Sequence, residues 1–393
     1  MTSTIETIRS LSLALDERHI PYTWVEGASL VLQQIPVSDP SLEVYVQWDV
    51  FDTCMEAFAD KIAEPVQQGV SRASCKMIWR QREVRISCLF NTTIKTDPYR
   101  IAVDLEGQPI MCRSLYSYLY GSDFTAFANE ISQSLLSKQR AFTEHNEEAW
   151  NQNNYQALIE RYGNPADLAS KIKANPAWRL HPFYPYMKEL KGKKVLHLLG
   201  SNGVKAVAMA LLGAEVTVVD FSKENAAFAR ELAEKTGVTI NYAISDVFSL
   251  SDSVKEERFD YVLMELGVLH YFITLEPLMD LIAELLGPDG SFILHEFHPV
   301  STKLITSKGK KHKVDGNYFD ANLTYQHVAF SKHMPDGVQQ ELKETVHRKW
   351  TLGEIITSVG SSGMRITVLE EEPNHKLHDI GLPKTYTLVT KKS

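Results

Sequence analysis

The chain has 393 residues, 44% hydrophobic and 23% charged, with a formal net charge of -8. That balance suits two or three soluble domains and excludes bulk disorder, while the acidic excess is a poor match for nucleic acid or an anionic membrane surface. No stretch approaches the roughly 18 apolar residues of a membrane-spanning helix, and the first twenty residues lack a signal-peptide pattern, so a cytoplasmic location is expected.

The first 140 residues alternate short elements with turns. A helical start over about 4–18 leads to "YTWVEGASLVLQ", the strand "LEVYVQW", a helix from about Asp49, and the strands "CKMIWR", "EVRISCLF" and "YRIAVDL". Cys54, Cys75, Cys88 and Cys112 show neither metal-type pair spacing nor a disulfide framework, and read as buried thiols. The order of elements resembles the minimal nucleotidyltransferase fold, in which a small-residue helix motif precedes a strand bearing two carboxylates. Gly27-Ala28-Ser29 takes the place of the helix motif, and the carboxylate pair aligns with Glu43 and Tyr45. Arg85 and Ser87 stand where that family has a further carboxylate. Two-metal phosphoryl chemistry needs converging acidic oxygens, which Tyr45 cannot supply. The resemblance therefore implies a nucleotidyltransferase-like α+β domain over 1–140 without its catalysis, serving to bind a substrate or a partner.

The boundary is expected near 138–148, where "FTEHNEEAWNQNNYQALIERYGNPADLASKI" begins a polar helical cap over 141–190. Then comes "KVLHLLGSNGVKAVAMALLGAEVTVVD". Its near-continuous apolar run reads as a buried parallel strand. Gly200-Ser201-Asn202-Gly203 forms a small-residue turn that lets a ligand approach the backbone. A helix follows, ending at Gly213, and a second strand closes on Asp220. Ser222 is the expected cap of the next helix. This is a βαβ unit, and Asp220 stands where a carboxylate can accept both hydroxyl hydrogens of a ribose. The dinucleotide fingerprint G-x-G-x-x-G is absent, which argues against NAD.

Further strands end near Asp246 and Glu265, and a fifth, "GSFILHEFHPV", follows the turn Gly287-Pro288-Asp289-Gly290. The acidic residues form one rim along a single sheet edge. The ordered motifs "LLGSNG", "VTVVD", "SDV", "FDYVLME" and "FILHEF" resemble those of class I S-adenosylmethionine-dependent methyltransferases. The resemblance implies a Rossmann-like α/β domain over 141–393, with a seven-stranded, mostly parallel sheet whose last strand is antiparallel. It implies S-adenosylmethionine as cofactor, with Gly200, Ser201, Asn202 and Gly203 along its methionine part. Asp220, together with Phe221, Ser222 and Asn225, would bind the cofactor, Asp220 taking the ribose. Asp246 and Val247 would flank the adenine, and Glu265, Leu266 and Gly267 would close the site beneath the sulfonium. His197 stands in that motif's acidic place, and Leu199 and Ser201 stand where glycines are common.

The methyl acceptor is expected to be a small molecule, because aromatic residues cluster in the segments that would cover the site: Trp150, Tyr155, Phe183, Tyr184, Tyr186, Tyr271 and Tyr318. Strand alternation puts Glu296 and His298 on one face, where with His270 they can converge over the methyl group; the readings are a general base at His270 or His298, ligands of a divalent metal, or residues that hydrogen-bond loops at the sheet edge. His295 reads as a satisfied core residue. The basic loop 306–316 reads as solvated. An inserted hairpin is expected over about 318–350, turning at Pro335-Asp336-Gly337, followed by a helix whose capping box is Thr351 and Glu354. A non-catalytic cofactor-binding scaffold and a bifunctional nucleotidyl- and methyltransferase are the alternatives.

Overall fold

In a computed structural model, residues 2–119, 125–187, 189–308, 311–334, 338, 341–374 and 381–392 are described. The chain forms two compact units, one of Met1–Ser134 with Phe319–Ala321, the other of Leu135–Tyr318 with Asn322–Ser393. Among the described residues no helix is long and apolar enough to cross a membrane.

The first unit is built on seven strands, β1 (Tyr22–Val25), β2 (Glu43–Val46), β3 (Ile62–Gln68), β4 (Arg72–Trp79), β5 (Arg82–Leu89), β6 (Arg100–Leu105) and β7 (Gln108–Arg113). Their order is β3-β4-β5-β2-β1-β7-β6. Only β2 with β5 and β1 with β7 run parallel. Trp24, Val44 and Ile86 lie in the core, and Trp24 donates its ring N–H to Ser12 Oγ at 2.8 Å, which satisfies the polar end of a fully buried indole. All four cysteines are buried free thiols. Gly27 sits on the helix Glu26–Leu32, where a Cβ would come within 2.8 Å of the Ser41 nitrogen, so only glycine fits that approach. The sequence pattern misses β3 and β7, because Pro65 and Pro109 interrupt them as prolines do in strands of a sheet.

The second unit carries β8 (Lys194–Leu198), β9 (Glu215–Asp220), β10 (Asn241–Ile244), β11 (Phe259–Glu265) and β12 (Leu286–Phe297). Two small hairpins follow, β13 (Ile305–Lys308) with β14 (Lys311–Val314), and β15 (Leu323–Gln326) with β16 (Thr345–Arg348). The last strands are β17 (Met364–Pro373) and β18 (Pro383–Lys392). The main sheet has the order β10-β9-β8-β11-β12-β18-β17, and β18 is antiparallel to both its neighbours. This is the mixed seven-stranded Rossmann-like arrangement. Val195, Leu196 and Leu198 of β8 have no exposed surface, as a central strand covered on both faces requires. Ser222 accepts from the Asn225 N–H and caps its helix, and Thr351 with Glu354 forms a complete capping box. The hairpin expected over 318–350 appears as β15 and β16, with a 3-10 turn at Ser331–His333 after β15; its proposed turn at Pro335-Asp336-Gly337 lies outside the described residues.

Candidate active site

At the carboxyl ends of β8, β9, β11 and β12 opens a cavity of about 830 Å³, wide enough for a nucleoside-sized ligand and a small second molecule. Its floor begins at the turn after β8. A Cβ on Gly200 would lie 2.6 Å from Val218 Cγ1 and 2.9 Å from His197 Nδ1, so this position admits only glycine. Gly203 opens the helix Val204–Leu211 at a φ of 72°, and a Cβ there would lie 2.6 Å from that of Ala229. Leu199 and Ser201 also adopt left-handed φ values, 49° and 48°. The turn thus keeps a glycine-like path with side chains on it. The Ser201 hydroxyl is buried without a hydrogen-bond partner, and its carbonyl accepts from the Tyr242 hydroxyl at 2.7 Å. Asn202 Oδ1 accepts the Val204 N–H at 3.2 Å.

Asp220 lines the cavity at the tip of β9. Its Oδ2 accepts the Ser201 N–H at 3.0 Å, and its Oδ1 accepts from Ser222 N–H at 2.9 Å and Asn225 Nδ2 at 3.3 Å. Burial pushes its pKa up to about 6, against these donors. Ser222 and Asn225 are themselves fully buried and do not line the cavity, so they hold Asp220 rather than touch a ligand. Phe221 does line it. Asp246 and Val247 flank a small recess that shares Asp220, Phe221 and Tyr271 with the main cavity.

Glu265 closes β11 beneath the same space, with Lys205 Nζ 3.5 Å from its Oε2 and His197 Nε2 3.9 Å from its Oε1. Burial, and secondarily Lys205, depress His197 to about 3, so it is neutral and its contact with Glu265 is not an ion pair. Leu266 and Gly267 continue at φ 46° and 80°. Glu296 then fixes this loop. Its carboxylate accepts the N–H groups of Gly267 at 2.5 Å, Val268 at 2.9 Å, Leu269 at 3.3 Å and Phe297 at 2.7 Å. With its acceptor capacity spent on the backbone, Glu296 is a positioning residue, not an acid or base.

His270 lies on the cavity wall, half-buried, with its Nε2 enclosed and unpartnered, and desolvation holds it well below the usual imidazole range. Its ring stacks on that of His347 with centroids 3.8 Å apart. His347 comes from β16, a residue that sequence reasoning does not single out. Asn146 pins that strand by accepting the Val346 N–H at 2.7 Å and donating to the Val346 carbonyl at 3.1 Å. Thr345 donates its hydroxyl to the Gln326 carbonyl, which leaves its oxygen to accept from His347 Nε2 at 2.8 Å and assigns the His347 proton to that nitrogen. Burial lowers His347 to about 4. The two rings therefore present neutral imidazole to the cavity.

His298 departs from its expected place. β12 ends at Phe297, so the alternation that put His298 beside Glu296 stops one residue short. Its Nδ1 instead accepts the Val300 N–H, capping the helix Pro299–Lys303, and its Nε2 donates to Glu371 at 2.7 Å. It does not line the cavity. His295 contacts Thr387 Oγ1 in the core, as expected of a satisfied buried histidine. Of the expected aromatic cover, Trp150 and Tyr271 reach the cavity and join through a 2.9 Å hydrogen bond from indole to phenol. Phe183 is core, Tyr155 and Tyr186 donate to Glu231 and Glu370, and Tyr318 accepts the Leu352 N–H. Tyr162, Phe330 and Trp350 line the cavity in their stead, and so do the cations Arg161, Arg179, Lys205 and Lys349.

Residues 198–294 match the family model described as "Methyltransferase domain". The chain is 29% identical over 144 residues to the ubiquinone biosynthesis O-methyltransferase of Chelativorans sp. (strain BNC1), covering 37% of this chain and 55% of that protein. It is 38% identical over 76 residues to the enzyme of the same name from Actinobacillus pleuropneumoniae serotype 7 (strain AP76), covering 19% and 32%. The match thus spans about half or less of these relatives' length. A solved structure, a putative S-adenosylmethionine-dependent methyltransferase from Listeria monocytogenes, is similar with a TM-score of 0.44 at 19% identity, over 56% of this chain and 99% of that one. One from Mesorhizobium loti gives 0.43 at 19% identity, over 53% and 97%. The glycine turn and the tips of β9 and β11 lie in the stretch that the family model covers: residues 198–294, within the Rossmann-like sheet of the second unit, match a methyltransferase domain.

Proposed function

We propose that this domain transfers the methyl group of S-adenosylmethionine to a hydroxyl oxygen of a small, flat acceptor. One observation carries the reading: Asp220 and Glu265, at the tips of two strands, line the same cavity across the Gly200–Gly203 turn. The residues fit the cofactor. Gly200 lets the turn pack tightly on Val218 and His197 while lining the cavity, and the Ser201 hydroxyl is an orphaned buried donor. Glu265 offers, from β11, the carboxylate that His197 lacks on β8, with the two side chains 3.9 Å apart. Asp220 would receive a ribose hydroxyl on the Oδ2 lone pair that Ser201, Ser222 and Asn225 leave open. When bound, the sulfonium supplies an activated methyl, so the protein mainly positions the acceptor and removes its proton. His270 Nε2, neutral and unpartnered, takes the acceptor's hydroxyl proton, and stacked His347 holds its ring in place. The ubiquinone-pathway names of the curated relatives favour oxygen as the accepted atom. Calorimetry with S-adenosylhomocysteine, followed by methyl-transfer assays on hydroxylated aromatics, tests the reading; absence of heat with S-adenosylhomocysteine would refute it.

The first unit we read as a nucleotidyltransferase-like fold without transfer chemistry. Ser87 Oγ, where the fold would need a further acid, donates to Glu43 Oε1 at 2.7 Å, and Tyr45 holds the second acid's place two residues on in β2. Incubation with Mg²⁺ and labelled nucleotides should give no nucleotidyl transfer; turnover lost in Glu43→Ala would reverse this reading.

A further inference from the structure

The cavity wall has a charge imbalance. Four basic side chains line it, Arg161, Arg179, Lys205 and Lys349, against three acidic ones, Asp220, Glu265 and Glu296. Each acidic group is already engaged by donors of the protein. Glu296 holds four backbone N–H groups, Asp220 holds three donors, and Glu265 faces Lys205. Apart from Lys205, the basic groups are not matched in return. Among the described residues neither Arg161, Arg179 nor Lys349 has a carboxylate within ion-pair distance. Arg179 has a buried Nε with no hydrogen-bond partner, and its guanidinium lies 5.0 Å from the Trp178 ring centre. Lys349 Nζ makes a neutral contact, to the Thr302 carbonyl at 3.0 Å, and stands on the side of the cavity that holds His270 and His347.

S-adenosylmethionine does not cure the imbalance. It brings a sulfonium, an ammonium and one carboxylate, so it adds a net positive charge. Its carboxylate answers one of the cations; at least two remain. Arg161 is exposed and Arg179 and Lys349 are half-buried, so their unmatched positive charge at the cavity attracts an anion. Resting on the methyltransferase reading above, we propose that the acceptor is itself an anion: a flat hydroxy acid whose carboxylate or phosphate pairs with Arg161 and Lys349 while its hydroxyl faces His270. The aromatic wall of Trp150, Tyr162, Phe330 and Trp350 supplies the flat contact. In the transfer the acceptor's O–H bond breaks and its proton passes to His270, the oxygen forms a bond to the methyl carbon, and the C–S bonding pair stays on sulfur as a neutral thioether. The acid group of the acceptor is unchanged throughout.

The test uses the full chain saturated with S-adenosylhomocysteine, with saturation read from its own calorimetric heat. The probes are 3,4-dihydroxybenzoate and its neutral twin 3,4-dihydroxybenzamide. The acid should bind at least about tenfold more tightly, a difference that shrinks as salt rises from low to physiological ionic strength and beyond. Displacement by phenyl phosphate at a lower concentration than by benzoate would assign the anion as phosphate, and the reverse order as carboxylate. In Arg161→Gln/Lys349→Gln the acid and the amide should bind alike, with the thermal shift given by S-adenosylhomocysteine retained as the check on folding. Equal binding of both probes to the unaltered protein, binding of neither, or a preference that survives the double substitution overturns the proposal while leaving the methyltransferase reading intact. Failure of S-adenosylhomocysteine itself to bind overturns that reading and this inference together.

Discussion

Glu43 in the first unit and Asp220 in the second are both buried carboxylates on sheet strands, 5% and 7% exposed, and burial raises both pKa values. They differ in what faces them. Glu43 opens its strand, and a hydroxyl of the neighbouring parallel strand, Ser87, meets it directly. Asp220 closes its strand, and what meets it is a turn: backbone N–H groups of Ser201 and Ser222, with a cavity beyond. A carboxylate becomes a site when the chain after it bends away and leaves lone pairs facing open space. The same group, sealed by a side chain across the sheet, is a piece of the core.

The comparison can be broken by substitution. The largest effect is expected at the wall that Asp220 shares with His270. His270→Ala should lower kcat about 10²–10⁴-fold with cofactor binding kept, read as turnover on any acceptor that the domain methylates. A change of less than threefold would remove His270 from the chemistry. Asp220→Ala should weaken S-adenosylhomocysteine by about 1.5–3 kcal/mol through loss of charge-assisted hydrogen bonds, whereas Glu43→Ala should leave that affinity unaltered. Equal losses in both, measured by calorimetry, would erase the distinction drawn here.

Titration sharpens it. With Asp220 near 6, ribose hydroxyls meet an ionised acceptor only above that pH, so S-adenosylhomocysteine affinity should climb about tenfold between pH 5 and 7. Stability moves the other way for this group. Its folded pKa lies above the ordinary 3.8, so its contribution is complete below about 4 and is lost as the pH rises through 6. The buried neutral histidines carry the opposite sign. His197, at about 3, and His295 and His347, at about 4, stabilise the fold above 6.5 and lose that contribution on acidification toward their folded values. Urea midpoints at pH 7, 6 and 5 should fall if the histidines dominate; a rise would give the balance to the carboxylates. The smallest effect is expected at Ser201→Gly. It removes a left-handed φ from a residue with a Cβ and an unpartnered buried hydroxyl, and should stabilise the protein by about 1 kcal/mol while weakening S-adenosylhomocysteine. A destabilised variant would show that the turn is not strained.

The parts of the second unit that could be read in advance are local ones. The β8 turn, the Ser222 cap and the Thr351–Glu354 box each depend on residues within a few positions of one another, and all appear as read. Non-local parts stayed hidden. His347 reaches His270 only because Asn146, some two hundred residues earlier, fixes β16. Arg161 and Lys349 come from segments that carry no motif and meet only as lining of the same cavity. His298 was misplaced because alternation was carried one residue past the end of its strand, where the chain turns into a helix cap. In the first unit the prolines of β3 and β7 masked two strands that pair regardless.

The grip of Glu296 on four backbone amides also bears on the order in which the protein can be built. The loop Gly267–Leu269 owes its shape to a side chain nearly thirty residues downstream, and that residue lies opposite Tyr386 in β18, which has no exposed surface. A ribosome delivers these pieces in sequence. While β18 is still unmade, β12 has a bare edge, and the carboxylate that should gather the loop is open to water instead. Residues 198–294, the stretch that the family model matches, end before Glu296. A nascent chain stopped there would hold that whole stretch and yet be unable to close the floor of its site.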